Sequence, residues 1–350
     1  MERLILSDHR GTQEIRVLTN DIDFDLGGEN DFEMSIPSSD WHDIEMGQRI
    51  YIPQTEYGGL IGEIESRTSE DMIYVRGWTW RGLLTQYIIF PPTGEDYFIA
   101  SGDLNTVIAL ALGRAGITTT NPIFAAADVE AGATVTNYQF DRYCTLLDGL
   151  EKMCASTGYR LDISYHNEDI NATEQMHYAV LSAVPAVDHS DEVEFSQSSK
   201  LNFTSKYYAR GVNAMECLGS GELKDRVAIP IYALKDGFAG TLQQCVAHAA
   251  GDSSLWYKGE EIFWGIYENT NEDDAQELAA KGVEKLIEVM PYKSFDAEMA
   301  SSIDEDIAIG DTIGGRDYIT GQTIKKPVVQ KILTISGGET TVSYKLKGED

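Results

Sequence analysis

Residues Asp21-Ile22-Asp23-Phe24-Asp25-Leu26 alternate acid and hydrocarbon without a break. Successive side chains of an extended chain point to opposite faces, so this period of two dictates a strand with one buried and one solvated face. A helix would scatter the same acids around its axis. Gly27-Gly28 ends the run, and Phe32-Glu33-Met34-Ser35-Ile36-Pro37 repeats the pattern. Arg49-Ile50-Tyr51-Ile52 follows Gly47 and is closed by Pro53. Leu60 to Glu65 and Met72 to Arg76 read as the arms of a hairpin, with Arg67 to Asp71 as its turn.

The middle of the chain changes period. Leu104, Val107, Ile108, Ala111 and Leu112 sit at helical spacing, with Gly113 and Gly116 as terminators. Leu146, Leu147, Leu150, Met153 and Cys154 form a second apolar stripe, stopped by Gly158. Tyr159 to Tyr165 and Tyr178 to Val184 read as strands, with His166 to Glu174 as a polar loop between them. Residues 195–268 read as mostly extended, with turns at Gly219-Ser220-Gly221 and Asp236-Gly237. A helix follows: Thr270 and Asn271 are candidate caps, acids fill its first turn, and Leu278, Ala279, Val283, Leu286, Ile287 and Met290 form its buried stripe. Strands resume after Pro291.

The first and last β stretches echo each other. Phe32-Glu33-Met34 is answered by Ala297-Glu298-Met299, and Gly47-Gln48-Arg49-Ile50 by Gly310-Asp311-Thr312-Ile313. The arm Ile61 to Ser66 is answered by Val329 to Ser336, and Met72 to Gly77 by Val342 to Gly348. Closure into barrels is how short strands avoid sticky edges. The fold class is therefore read as α+β and β-rich: two small antiparallel β-barrels with an inserted α/β domain. Residues 1–99 form the first barrel, completed by part of 195–235; 100–194 is the insertion; 195–290 is a mixed extended segment and helix; 291–350 supplies the hairpins of the second barrel.

Charge and cysteine usage narrow the function. Asp and Glu total 57 against 27 Lys and Arg, a formal charge of −30. Nucleic-acid affinity needs cations that displace condensed counterions, so this surface repels DNA, RNA and anionic membranes alike. It does not exclude a wall past which DNA slides without adhering. Cys144, Cys154, Cys217 and Cys245 form no CxxC pair and read as reduced thiols of a protein made in a cytosol. The start of the chain is apolar for too few residues to be a secretory signal, and no run is long enough to span a membrane.

No residue pattern carries chemistry. Asp21, Asp23 and Asp25 begin like a calcium loop, but Leu26 stands where glycine is needed and Phe32 where the bidentate glutamate belongs. Asn269 to Asp274 and Asp304-Glu305-Asp306 are acidic clusters that read as solvated loops or helix entries. His9, His42, His166, His177, His189 and His248 show no metal-ligand spacing. Gly219-Ser220-Gly221 is flanked by Leu218 and Glu222 and is no nucleophile elbow. Glu260-Glu261 would point apart on a strand, which disfavours a glycosidase pair. Trp78 and Trp80 would share one face if their strand persists that far. With Trp256, Tyr257, Phe263 and Trp264 they suit core or subunit packing better than a sugar platform. The expectation is a non-enzyme with no catalytic, cofactor or metal residues.

The ordered set Gly59-Leu60-Ile61-Gly62-Glu63-Ile64-Glu65, Val75-Arg76-Gly77, Leu83-Leu84, Ile88-Ile89-Phe90-Pro91-Pro92 and Ile309-Gly310-Asp311-Thr312-Ile313, with the strand from Val329 up to Gly338, resembles the phage tail-hub proteins. That family includes the N-terminal part of prophage endopeptidase-tail proteins and the baseplate hubs of contractile tails, and the layout matches over nearly the whole chain. The resemblance implies a homotrimer whose subunits each carry two similar barrels, forming a quasi-sixfold ring under a hexameric tail tube. It implies a structural virion protein at the tail tip, assembled in the host bacterial cytoplasm. The implied partners are the distal tail protein, tail tube and tape-measure proteins, and tip or receptor-binding proteins, with DNA only in transit and no stable membrane binding. The sequence closes at Asp350 directly after its final hairpin, so no downstream hydrolase domain is expected. The alternative reading is a carbohydrate-binding or host-adhesion module of the tail tip; a cell-wall hydrolase ranks third.

Overall fold

A computed structural model describes residues 3–117, 123–171, 174–190, 194–196, 202–270, 272–299, 307–316, 319, 321 and 323–346. The chain divides into two compact units, one built from Met1–Phe203 with Ala297–Leu346, the other centred on Thr204–Asp296.

The first unit opens with β1 (Leu4–Ser7), β2 (Glu14–Leu18), β3 (Asp21–Leu26), β4 (Asp31–Pro37), β5 (Arg49–Tyr51), β6 (Gly58–Arg67) and β7 (Met72–Thr79). The alternation in β3 does what its period demands: Ile22, Phe24 and Leu26 are buried while Asp21 and Asp23 face solvent. Gly77 of β7 lies flat under the Phe32 ring, and a Cβ there would meet the Leu60 carbonyl at 2.0 Å. At Trp80 the strand gives way to one helical turn, α1 (Trp80–Leu84), capped by Thr79. Trp78 and Trp80 therefore do not share a strand face: Trp78 is exposed and Trp80 is fully buried.

The insertion follows as β8 (Ile99–Asp103), α2 (Leu104–Arg114), β9 (Phe124–Ala126), β10 (Thr134–Gln139), α3 (Leu146–Ala155), β11 (Tyr159–Asn171), β12 (Glu174–Pro185) and β13 (Glu194–Ser196). The two helical stripes fold as read, with Thr145 and Asp103 as side-chain caps. The expected polar loop from His166 to Glu174 is instead the far end of a long hairpin, paired from Tyr159↔Pro185 to Asn171↔Glu174. Backbone ladders pair whatever the side chains are, so polarity there did not signal a loop. The insertion has no core of its own. Ile5, Tyr51, Trp80 and Leu84 of the β framework pack in one cluster with Leu104, Ile108, Leu150 and Leu181. Tyr165 seals it, stacked on Trp80 at 4.6 Å and tilted against Tyr51 at 4.4 Å.

The chain leaves through β14 (Asn202–Tyr208) for the second unit: β15 (Ala214–Leu218), β16 (Ala228–Ala233), β17 (Ala239–Thr241), α4 (Leu242–Ala249), β18 (Trp264–Glu268), α5 (Ala275–Val289) and the start of β19 (Tyr292–Met299). Its sheet runs β17-β16-β15-β18. α5 covers the face bearing Met215, Cys217 and Ile231, so closely that a Cβ on Gly282 would meet Cys217 Sγ at 2.2 Å. Ile287, read as part of the buried stripe, is exposed, and Gly282 lies in the contact instead. The helix is capped by Asp274, whose carboxylate accepts from Gln276 N, not by Thr270; Asn271 lies outside the described residues. The stretch read as mostly extended also holds α4, closed at its start by a Thr241–Gln244 capping box.

The first unit resumes with β20 (Thr312–Arg316), β21 (Thr323–Ser336) and β22 (Glu339–Leu346). Its main sheet runs β22-β21-β3-β4-β7-β6-β5-β1-β2, with β20 beside β21. Of the segment 195–235, β14 stands in the same strand order as β22 and β21, β15 and β16 pair in the other unit's sheet, and the edge of β3 is taken by β21. The sheet curls strongly. Phe24 on β3 lies 6.0 Å from the ring of Tyr57, at the entry to β6, whereas flat strands that far apart in the order would be about 14 Å away.

Candidate functional site

The sequence echo at Gly47 and Gly310 is a repeated structural motif. Gly47 N donates to Ile61 O at 2.8 Å, and Ile61 N returns a bond to Gln48 O at 3.0 Å. Gly310 N donates to Val328 O at 2.8 Å, and Val328 N returns one to Asp311 O at 2.8 Å. Gln48 Oε1 accepts from Glu45 N at 2.9 Å; Asp311 Oδ2 accepts from Ala308 N at 2.9 Å. Both glycines hold positive φ, +81° and +97°, which only glycine adopts cheaply. Ile44 and Ile307 are buried before the two turns, Ile50 and Ile313 after them. Strand order repeats as well: β7, β6 and β5 adjoin in that order, as do β22, β21 and β20. β4 neighbours β7 as β19, which ends in this unit, neighbours β22. Of the echo's remaining members, the side chains of Ala297 to Met299 and all of Gly348 lie outside the described residues.

Both turns grip the β11–β12 hairpin. After the first, the Arg49 guanidinium donates to Tyr165 Oη of β11 at 3.1 Å and to the His177 carbonyl of β12 at 2.7 Å. In the second, Asp311 Oδ1 accepts from Arg160 Nε of β11 at 3.0 Å and from Val187 N, just past β12, at 2.8 Å. Asp311 is wholly buried, and these donors satisfy its carboxylate oxygens. A third clamp is Arg81 of α1, buried between Glu56 at 2.6 Å and Glu151 at 2.5 Å.

The outer face of β3, β4, β7 and β6 is a field of carboxylates. Cross-strand register sets Asp23 beside Glu33, Glu33 beside Arg76, and Arg76 beside Glu63. Arg76 serves three acids, Glu33 at 2.5 Å, Glu63 at 2.8 Å and Glu65 at 2.7 Å. Hydrogen bonds from Arg67 and then Arg76 hold the Glu65 carboxyl down at about 2. Asp31 has no such support, and burial followed by repulsion from Asp25 and Glu29 raises its pKa.

The residues weighed for chemistry are dispersed. His9 meets the Met46 carbonyl, His166 the Ser164 hydroxyl, and His248 the Asp236 carboxylate. His189 approaches Asp311 at 3.8 Å. Burial pushes Cys154 up to about 12 and Cys217 up to about 11, the reverse of thiolate activation. Glu260 and Glu261 lie in a short 3-10 turn, with Glu261 on Lys235 at 2.9 Å. Glu272 pairs with Lys281 and Asp274 caps α5, so the Asn269 cluster is engaged in structure; Asp304-Glu305-Asp306 lies outside the described residues. Among the described residues no group of His, Cys, Asp or Glu could hold a metal ion. Trp264, Phe263 and Ile266 are exposed on edge strand β18 and its approach, with Tyr232 edge-on to Trp264 at 5.8 Å.

No family model matches the sequence, and no curated protein matches it. Likeness appears in the fold. The 43 kDa tail protein of prophage MuSo2 from Shewanella oneidensis superposes with a TM-score of 0.56 at 11% identity, over 99% of this chain and 98% of that one. A tail protein from Neisseria meningitidis MC58 gives 0.51 at 11% identity, over 99% and 97%. The chain has a β-rich tail-protein fold, as the resemblance in its motifs implied.

Proposed function

We propose that this chain is a structural, non-enzymatic hub of a phage tail or related injection machine. Three copies form a ring at the tail tip that adapts a hexameric tube to a threefold end and encloses the DNA channel. The observation that carries this reading is the duplicated turn with its repeated strand order: a trimer of a twice-repeated subunit offers six like modules, and heterologous contacts that close produce a ring. The carboxylate field on β3, β4, β7 and β6 supports passage of DNA without adhesion, since like charge opposes counterion release. The partners are the tube, distal tail and tape-measure proteins above and the tip or receptor-binding proteins below, in the virion tail.

Light scattering with negative-stain microscopy tests the ring, alone and with the tube and distal tail proteins. A threefold ring with a central hole is expected; a strict monomer in every mixture would sink the hub reading. Neutralising Asp23, Glu33 and Glu63 together should slow genome passage, and unchanged ejection would remove the channel role from this face. The exposed Phe263, Trp264 and Ile266 favour a second reading, a carbohydrate-binding or host-adhesion module, which a glycan array separates from the first.

A further inference from the structure

Two arginines of the described chain are buried, and they are treated differently. Arg81, 1% exposed, lies between the carboxylates of Glu56 and Glu151. Arg49, 6% exposed, has none among the described residues: Nε donates to His9 O at 3.2 Å, and Nη1 to Tyr165 Oη and His177 O. Neutral acceptors satisfy its hydrogen bonds but no carboxylate pairs with it directly; Asp8, whose charge reaches Tyr165, is engaged by Thr12 and Gln13 instead, and a buried cation without a directly paired counter-charge is costly. The acidic balance of the chain makes this arrangement more unusual.

Arg49 also differs in what it faces. It lines a cleft of about 870 Å³ between the β1–β2 turn, α2 and β9, with Arg10, Asn105, Leu112 and His177 on the walls. Arg10 is exposed and has no ion pair among the described residues. The acids of the cleft, Asp128 and Glu130, are exposed and lie beyond ion-pair distance of either arginine. One wall is a continuous backbone run from Ala125 to Glu130. It begins on β9, the outer strand of the order β11-β12-β9. Ala127 N and Ile123 O bond inward to β12, so by strand alternation the N–H and C=O of Phe124 and Ala126 point away from it; Phe124 is buried, and the open part of the edge is at Ala126. An open edge accepts another extended chain.

We propose that this cleft binds an extended segment of another polypeptide, paired along β9, with an Asp or Glu side-chain carboxylate set against Arg49 and Arg10. The guest supplies the missing counter-charge, and the guanidinium fork supplies its orientation. The inference does not rest on the hub reading, and the following test does not require assembly. The intact protein is panned against a random octapeptide display library. Enrichment of a single acidic position within β-prone peptides is expected. The best peptide should bind about tenfold or more weaker when that acid becomes its amide, and likewise to Arg49→Gln. Arg10→Gln, on the surface, keeps the test valid if Arg49→Gln fails to fold, and should weaken binding severalfold. Ala126→Pro removes one outward N–H and should weaken it too. Peptides with no acidic enrichment, or indifferent to Arg10→Gln and Ala126→Pro, overturn the proposal. So does acetate or phosphate competing at the affinity of the peptide, which would make this a small-anion site.

Discussion

The turn at Gly47 and the turn at Gly310 share a backbone and differ in charge. The first carries the amide of Gln48 where the second carries the carboxylate of Asp311, each accepting from the residue three places earlier. The first reaches β11–β12 with a cation, Arg49, and the second with an anion that meets Arg160. The hairpins above them part in the same way. The outer face of β6 and β7 carries Glu63, Glu65 and Arg76 side by side, while that of β21 and β22 carries Gln330, Ile332, Thr334, Thr341 and Ser343 along its middle, with Lys345 and Glu339 only at its ends. Backbone geometry is what the repeat conserves within this molecule; side-chain charge is what distinguishes the copies. In a ring of such modules the two kinds would alternate, giving a sixfold backbone with a threefold charge pattern.

Substitutions at matched positions test that distinction. Asp311→Ala should be the most damaging, because it leaves two backbone donors without their acceptor and Arg160 with Asp162 alone; a loss of about 3 kcal/mol in denaturant unfolding is expected. Gly310→Ala comes next. The left-handed backbone costs about 1–2 kcal/mol, and the new Cβ would press on Arg160 Cβ at 2.8 Å. Gly47→Ala meets only the His9 ring, at 3.1 Å, and should show the backbone cost alone. Gln48→Ala, removing one hydrogen bond, should cost about 1 kcal/mol. If Gln48→Ala matched Asp311→Ala, the contrast between the turns would collapse.

The smallest effect is a pH slope. Glu65 lies at about 2 against an ordinary 4.5, so its contribution is present above pH 4.5 and lost as pH falls toward 2. Glu65→Gln should flatten the acid limb of the stability curve, less so in high salt because the pair is solvent-facing. Ser343→Ala, on the second hairpin, should leave that limb unchanged.

Much of this was legible before any coordinates. The alternation of β3 and the stripes of α2, α3 and α5 are written in side-chain period, and the two turns in their glycines. What escaped had no such period. α1 is a single turn, and α4 exposes Leu242 and Val246, which masks its stripe. The outer half of β11–β12 is held by its backbone ladder. The burial of Asp311 could not be read from a Gly-Asp turn, where acids are common at surfaces. That Arg49 has no directly paired carboxylate among the described residues emerges only when residues far apart in sequence meet, as does the pairing of β3 with β21.

That last pairing sets a schedule for synthesis. Asp25 and Gln330, bonded at 2.7 Å, are 305 residues apart. During translation β3 therefore waits with a bare edge for about 15–60 seconds, at roughly 5–20 residues per second, while the rest of its sheet can already form, and closing so long a loop makes the final step slow. A bare apolar edge would recruit other nascent chains. β3 presents Asp21, Asp23 and Asp25 instead, so the acids that first revealed the strand also guard it until β21 arrives.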